Sequence, residues 1–139
     1  MASNHSIIRI EATGEMIGDP MEIKLFEFGE FTLNQSIADP EVIFSYESAR
    51  GQRGEVFRRF EFDSDLQRMS VVARVASKEG AALFAYAKGS PEMMATIMDK
   101  SSIPQNYNEV LKEYTSNGFR VLAIGSKRIP GYDHKSITR

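Results

Sequence analysis

Four side chains in this sequence have a type and a setting suited to meeting a ligand. Lys88 closes the apolar run of residues 82–87 and precedes Gly89, so a charged amine ends a strand expected to be buried. One reading is a lysine whose stem lies along the strand end with its ammonium in water. The other is a cation at the floor of a pocket for an anionic or π-rich ligand, with Gly89 letting that ligand approach the backbone. Phe62, at another strand end, is either core material or a platform for a stacked base, worth roughly 1–3 kcal/mol. Arg120 follows the helix-capping Gly118 and precedes an apolar run, as a solvated strand end or a ligand contact. Glu22 reads first as a helix-capping partner.

Self-sufficient catalysis has little to draw on. The only histidines, His5 and His134, lie near opposite and disorder-prone ends, which speaks against a Ser-His-Asp arrangement or a histidine metal cluster. There is no cysteine, so disulfides and thiolate metal sites are excluded and a reducing compartment is the default. Neither G-x-x-x-x-G-K-[ST] nor G-x-G-x-x-G occurs. The residues by themselves describe a binding domain.

The elements that must position these residues follow from length and periodicity. The 139 residues suit one domain, and 42% hydrophobic content with nine Phe and five Tyr is enough to fill a core. With 17 basic and 19 acidic residues the formal charge is −2, which gives no reason to expect nucleic acid or an anionic membrane as partner. No apolar run approaches the ~20 residues that cross a bilayer, and the first residues lack the basic start and apolar stretch of a secretory signal.

Asp19 as cap, Pro20 in the first turn and Glu22 three residues after the cap predict a helix with a capping box, its apolar stripe on Met21, Leu25 and Phe28 broadened by Phe26. Residues 41–46 have strand composition, and residues 47–55 read as an exposed, mobile loop. From Val56 the period becomes two. Runs at 56–62, 69–75 and 82–87, broken at Asp63-Ser64-Asp65 and at Glu79-Gly80, predict an antiparallel meander. Pro91 starts a helix carrying Met94, Ile97 and Met98 on one face; a further helix spans 107–116 and ends at Asn117-Gly118. Residues 120–125 are mostly apolar and predict a central strand. The fold class is α+β, an antiparallel sheet flanked by helices.

Taken in order, four segments resemble the nucleotide-binding (N) domain of P-type cation-transport ATPases. They are Gly18-Asp19-Pro20-Met21-Glu22; Phe62 with Gln67-Arg68-Met69-Ser70-Val71; Lys88-Gly89-Ser90-Pro91-Glu92; and Gly118-Phe119-Arg120-Val121-Leu122-Ala123. The likeness runs over nearly the whole chain, read as one domain from 1 to 139. The wording around Leu25-Phe26-Glu27 and Leu66-Gln67-Arg68-Met69-Ser70 is most similar to the P5 branch, and to its P5B group. That group is associated with polyamine export from late endosomal, lysosomal or vacuolar compartments.

The resemblance implies an ATP/ADP site in which Phe62 stacks on adenine, Glu22 lies near the adenine amino group, and Lys88 stands at the pocket floor. It also implies that Gly89 lets the ring pack against the backbone, that Arg120 is directed at the phosphates or ribose, and that Gln67, Arg68 and Met69 complete the nucleotide contacts. Gln67 stands where calcium- and sodium-pump relatives carry a lysine. Asp63 and Asp65 beside a triphosphate would repel it unless Mg²⁺ or Arg68 offsets them, so weak binding is expected.

The family's phosphorylated Asp-Lys-Thr-Gly-Thr string is absent. The expectation is therefore a monomeric fragment of a longer membrane ATPase, inactive alone and without direct membrane insertion. It would hold Mg-ATP for a phosphorylation domain that itself supplies most of the Mg²⁺ ligation, with an actuator domain as a further partner. The rival is an α+β interaction or regulatory domain that has lost nucleotide binding. Lys88→Ala is expected to weaken nucleotide binding without unfolding the chain.

Overall fold

Residues 2–35, 37–77 and 80–130 are described by a computed structural model of the chain. A small hairpin of β1 (Ile8–Arg9) and β2 (Met16–Ile17) leads into helix α1 (Pro20–Phe28). Strands β3 (Phe31–Asn34), β4 (Phe44–Ser48), β5 (Arg53–Asp63), β6 (Arg68–Ser77) and β7 (Gly80–Gly89) follow. Helix α2 (Pro91–Ile97), a 3₁₀ turn (Lys100–Ser102), helix α3 (Tyr107–Ser116) and strand β8 (Ala123–Arg128) complete the order. Strands β3 to β8 form one six-stranded sheet in sequence order, and every neighbouring pair is antiparallel. The predicted α+β meander is the observed architecture.

Alternation decides which residues share a face of the sheet, and β6 is buried on both, with Val71 and Ala73 on one face and Val72 on the other. Val71 lies opposite Tyr86 and Ala73 opposite Phe84, while Val56 faces Ala73 across β5 and β6. Val56, Val71 and Ala73 join Leu33, Phe44 and Tyr46 in a core closed by Phe26 of α1 and by Ile7, with Tyr86 packed against it. The backbone of α1 is set as expected at its start: the Asp19 carboxylate accepts from the Met21 and Glu22 amides at 2.9 and 3.3 Å, a cap worth about 1 kcal/mol. Helix α2 rests on β7 and β8, with Met94 fully buried.

Several expectations are corrected. Phe26 is the buried residue of α1 and Met21 and Leu25 are half-buried, but Phe28 is 88% exposed, so the packed face is centred on Phe26 and leaves Phe28 out. Glu22 does not close a capping box, because its carboxylate is drawn to Lys88 and to the Ser6 amide. The stretch 47–55 is not one loop. Glu47 and Ser48 end β4, and Arg53 to Glu55 begin β5; only residues 49–52 turn, held by Ser48 N–H on the Gln52 carbonyl at 2.9 Å. The final strand is shifted to 123–128 and lies at the sheet edge, since Val121 and Leu122 serve a cleft and Lys127 and Arg128 remain exposed. His5 is buried rather than frayed, packed against Phe26 and Phe44 with ring centroids 5.2 and 4.9 Å away. His134 and Glu79 lie outside the described residues.

Candidate functional site

The start of α1 and the end of β7 meet. Because Asp19 and Pro20 fix where the helix begins, Glu22 falls in its first turn, facing the penultimate residue of β7. That residue is Lys88, only 6% exposed, and its ammonium pairs with Glu22 Oε1. The other oxygen, Glu22 Oε2, accepts from the Ser6 amide at 3.0 Å. Lys88 therefore does not reach out to water along the strand. Its charge is matched inside the protein, and the floor that these residues build is neutral overall.

The wall comes from the turn between β5 and β6. Asp63 Oδ1 accepts from the Asp65 and Leu66 amides at 2.9 and 3.0 Å, which turns that carboxylate into its own loop. Gln67 then adopts φ 47°, a left-handed conformation uncommon outside glycine. From there it meets Ser90 twice: its carbonyl accepts from the Ser90 amide at 3.0 Å, and its Oε1 accepts from the Ser90 hydroxyl at 2.9 Å. Gly89 is needed for this crossing. A Cβ there would run into the Gln67 carbonyl oxygen and lie 2.8 Å from the Arg68 Cβ. The glycine thus serves the contact between protein segments, a reason the sequence alone did not suggest.

At the mouth stand Phe62, 64% exposed, and Arg120, whose side chain is 71% exposed with its guanidinium 3.8 Å from Asp19. The resulting cleft measures about 650 Å³. Glu22, Phe62, Gln67, Met69, Lys88, Gly89 and Arg120 all line it, drawn from five separate parts of the chain. Arg68 does not; it opens β6 in register with Asp63 and Gly89, off the cleft wall. Ser6, Asp19, Ser64, Ser90, Val121 and Leu122 join the lining. Of these, Ser6 carries no sequence signal, since its contribution to the floor is a backbone N–H. Ser64 lines the cleft and Asp63 and Asp65 do not, while the Asp19 carboxylate does, beside Arg120.

Such a cleft sorts ligands by charge along its depth. Its neutral floor suits an uncharged ring bearing hydrogen-bond donors, since Glu22 can only accept. The exposed face of Phe62 suits stacking. The outer end carries the exposed Arg120 guanidinium, which faces the Asp19 carboxylate. Among the described residues no group of three or more His, Cys, Asp or Glu could hold a metal ion.

The sequence profile of the family described as "P-type ATPase, cytoplasmic domain N" matches residues 2–137. The chain is 33% identical to the mouse "Probable cation-transporting ATPase 13A5" over 96% of its own length and 12% of that protein. It is 32% identical to the mouse "Polyamine-transporting ATPase 13A3", covering 93% of this chain and 12% of the relative. It is 34% identical to the "Endoplasmic reticulum transmembrane helix translocase" of Saccharomyces cerevisiae, covering 96% and 10%. The chain thus spans about an eighth or less of the curated relatives it matches.

Proposed function

Since the chain belongs to the P-type ATPase cytoplasmic N-domain family, we propose that it binds ATP or ADP in this cleft and presents the γ-phosphate to a phosphorylation domain. The observation that carries the reading is the convergence of Glu22, Phe62, Lys88, Gly89 and Arg120 on one cleft. In this arrangement the adenine stacks on Phe62 and directs its amino group at Glu22. The ring lies over the Lys88–Gly89 floor, and the ribose and phosphates extend past Arg120 into solvent. A neutral floor and an exposed outer arginine suit that orientation, because a triphosphate placed inward would meet the Glu22 carboxylate.

The domain's contribution is position. No Asp-Lys-Thr-Gly-Thr string occurs in the chain, so the phosphoryl acceptor belongs to another domain. Holding the nucleotide in reach of that acceptor can supply several kcal/mol of the roughly 7–11 kcal/mol available from orientation. The Mg²⁺ of Mg-ATP is assigned to the phosphorylation domain and the transferred phosphates. We assign the whole protein to a P5-type transport ATPase with this domain on the cytosolic face of its membrane. The polyamine-transporting group, with late endosomal, lysosomal or vacuolar residence, is the proposed branch by motif wording. Relatives named for polyamine transport and for helix translocation match at 32% and 34%; we place the choice of cargo outside this domain, in membrane helices.

The test is an amide NMR titration with ADP. Shifts should concentrate at Phe62, Lys88 and Gly89, and Phe62→Ala should cost roughly 1–3 kcal/mol of binding while leaving the spectrum folded. Saturating nucleotide that moves none of these amides would overturn the reading in favour of an interaction domain without nucleotide.

A further inference from the structure

The amino-terminal residues are among the most thoroughly buried in the molecule. Ala2, Ser3, Asn4, His5 and Ile7 are each 1–3% exposed, although three of them are polar. Burying polar groups costs free energy unless their hydrogen bonds are rebuilt inside, so the bonds formed indicate what the segment does. The Asn4 amide donates to the carbonyls of Met69 on β6 and Tyr86 on β7, each at 3.4 Å. Met69 is the ladder partner of Lys88. Asn4 thus fastens the segment across the two strands that carry the pocket floor.

His5 acts one step further along. Its ring is held between Phe26 and Phe44, and its Nδ1 accepts from the Ile7 amide at 3.1 Å. That bond closes a tight bend over Ser6. The bend leaves the Ser6 side chain exposed and aims the Ser6 amide at Glu22 Oε2. Burial holds the His5 pKa down to about 4, the nearby Glu22 carboxylate pulling the other way, so Nδ1 stays an acceptor across the neutral range.

We propose that His5 is a positioning residue for the nucleotide site: by bending the segment 5–7 it delivers the Ser6 amide to Glu22 and fixes the carboxylate that reads the base. This rests on the nucleotide reading above, and it assigns the segment a role in base selectivity. One carboxylate oxygen is held by Lys88 and the other by Ser6. With both fixed, the remaining lone pairs of Glu22 keep one orientation, matched to an exocyclic amino group. Without the Ser6 amide the carboxylate swivels about Lys88, and the site loses its preference for a donor over an acceptor at that place on the ring.

The experiment compares His5→Asn with His5→Leu. Asparagine keeps an acceptor oxygen where Nδ1 stood; leucine fills space without one. His5→Leu should weaken ADP roughly three- to tenfold while leaving inosine diphosphate, which lacks the amino group, nearly unchanged. His5→Asn should restore the ADP preference. An equal loss for both nucleotides would mean that His5 is only structural, and the proposal fails.

A ligand-free arm separates this proposal from the nucleotide reading and also covers poor folding of His5→Leu. The Ser6 amide of the wild-type chain should be protected from hydrogen exchange and should lose that protection in Glu22→Ala. If the amide behaves so while no nucleotide binds, the nucleotide reading fails and the positioning contact stands. If Glu22→Ala leaves the Ser6 amide unchanged, the positioning contact is overturned whatever the nucleotide does.

Discussion

A lysine buried against a glutamate changes what each single substitution does. Lys88→Ala removes the ammonium but leaves the Glu22 side chain, 14% exposed, as a carboxylate with only Ser6 to serve it. Breaking a buried pair from one side costs about 3–5 kcal/mol, whereas replacing both members by matched neutral groups is often nearly neutral. We expect Lys88→Ala to lose on the order of 2–3 kcal/mol of stability, below the fully buried range because the cleft admits water to Glu22. Lys88→Met combined with Glu22→Gln should recover most of that loss and still bind ADP weakly. Denaturant unfolding of the three proteins decides it: a double variant as unstable as Lys88→Ala refutes the pairing. Sequence reasoning found both residues but expected Lys88→Ala to spare the fold. Partners 66 positions apart leave no spacing signal, and a carboxylate in a first helical turn already has a local explanation in the capping box. Phe62 was ambiguous for a similar reason, since alternation marks a strand residue's face but not whether anything covers that face.

At the scale of elements, the cleft depends on how closely the β5–β6 turn crosses the end of β7. Gly89→Ala places a methyl group against the Gln67 carbonyl and the Arg68 Cβ, both parts of a turn already committed to a left-handed residue at Gln67. Overpacking of this kind costs roughly 1–3 kcal/mol. The expected result is a lowered unfolding midpoint together with amide shifts at Gln67, Arg68 and Ser90, even without nucleotide. Shifts confined to residue 89 and its sequence neighbours would show that the crossing is loose.

The elements legible in the sequence were those with a local cause: period-two strands, Asp19-Pro20 and Pro91 at helix starts, and Asn117-Gly118 at a helix end, where Gly118 takes φ 80°. The misplaced ones were decided by distant partners. Val121 and Leu122 read as sheet interior because they are apolar, yet they line the cleft and leave β8 at the edge. The 47–55 stretch reads as loop because it is polar and glycine-containing. Even so, Gly54 belongs to β5, where the Tyr46 ring occupies the space a side chain would take.

For the molecule as a whole, one buried imidazole ties stability to pH. His5 titrates at its ordinary 6.5 in the unfolded chain and only at about 4 in the folded one, since burial among aromatic rings disfavours the charged form. Between those values the unfolded chain binds the additional proton. The stabilisation from a neutral His5 is therefore complete above pH 6.5 and is lost as pH falls toward 4, a total on the order of 3 kcal/mol. Unfolding free energies measured from pH 7 to 4.5 should fall more steeply for the wild type than for His5→Asn, which has no ring to protonate. Parallel profiles would place His5 in contact with solvent.

The strand order has a kinetic side. Each ladder of the sheet joins consecutive strands; from β3 to β7 each pairing closes a short stretch of chain and little entropy opposes it, while β7 and β8 are brought together across α2 and α3. The amino-terminal segment reaches further still, because Asn4 must find Met69 and Tyr86, 65 and 82 residues away. A contact of that separation gains most once the sheet is already there to receive it. In the reverse direction, the segment can lift off without unzipping any of the six strands of the sheet. Opening there would free Glu22 from Ser6, which makes the floor of the cleft the last part of the molecule to be finished and the first to be lent back to solvent.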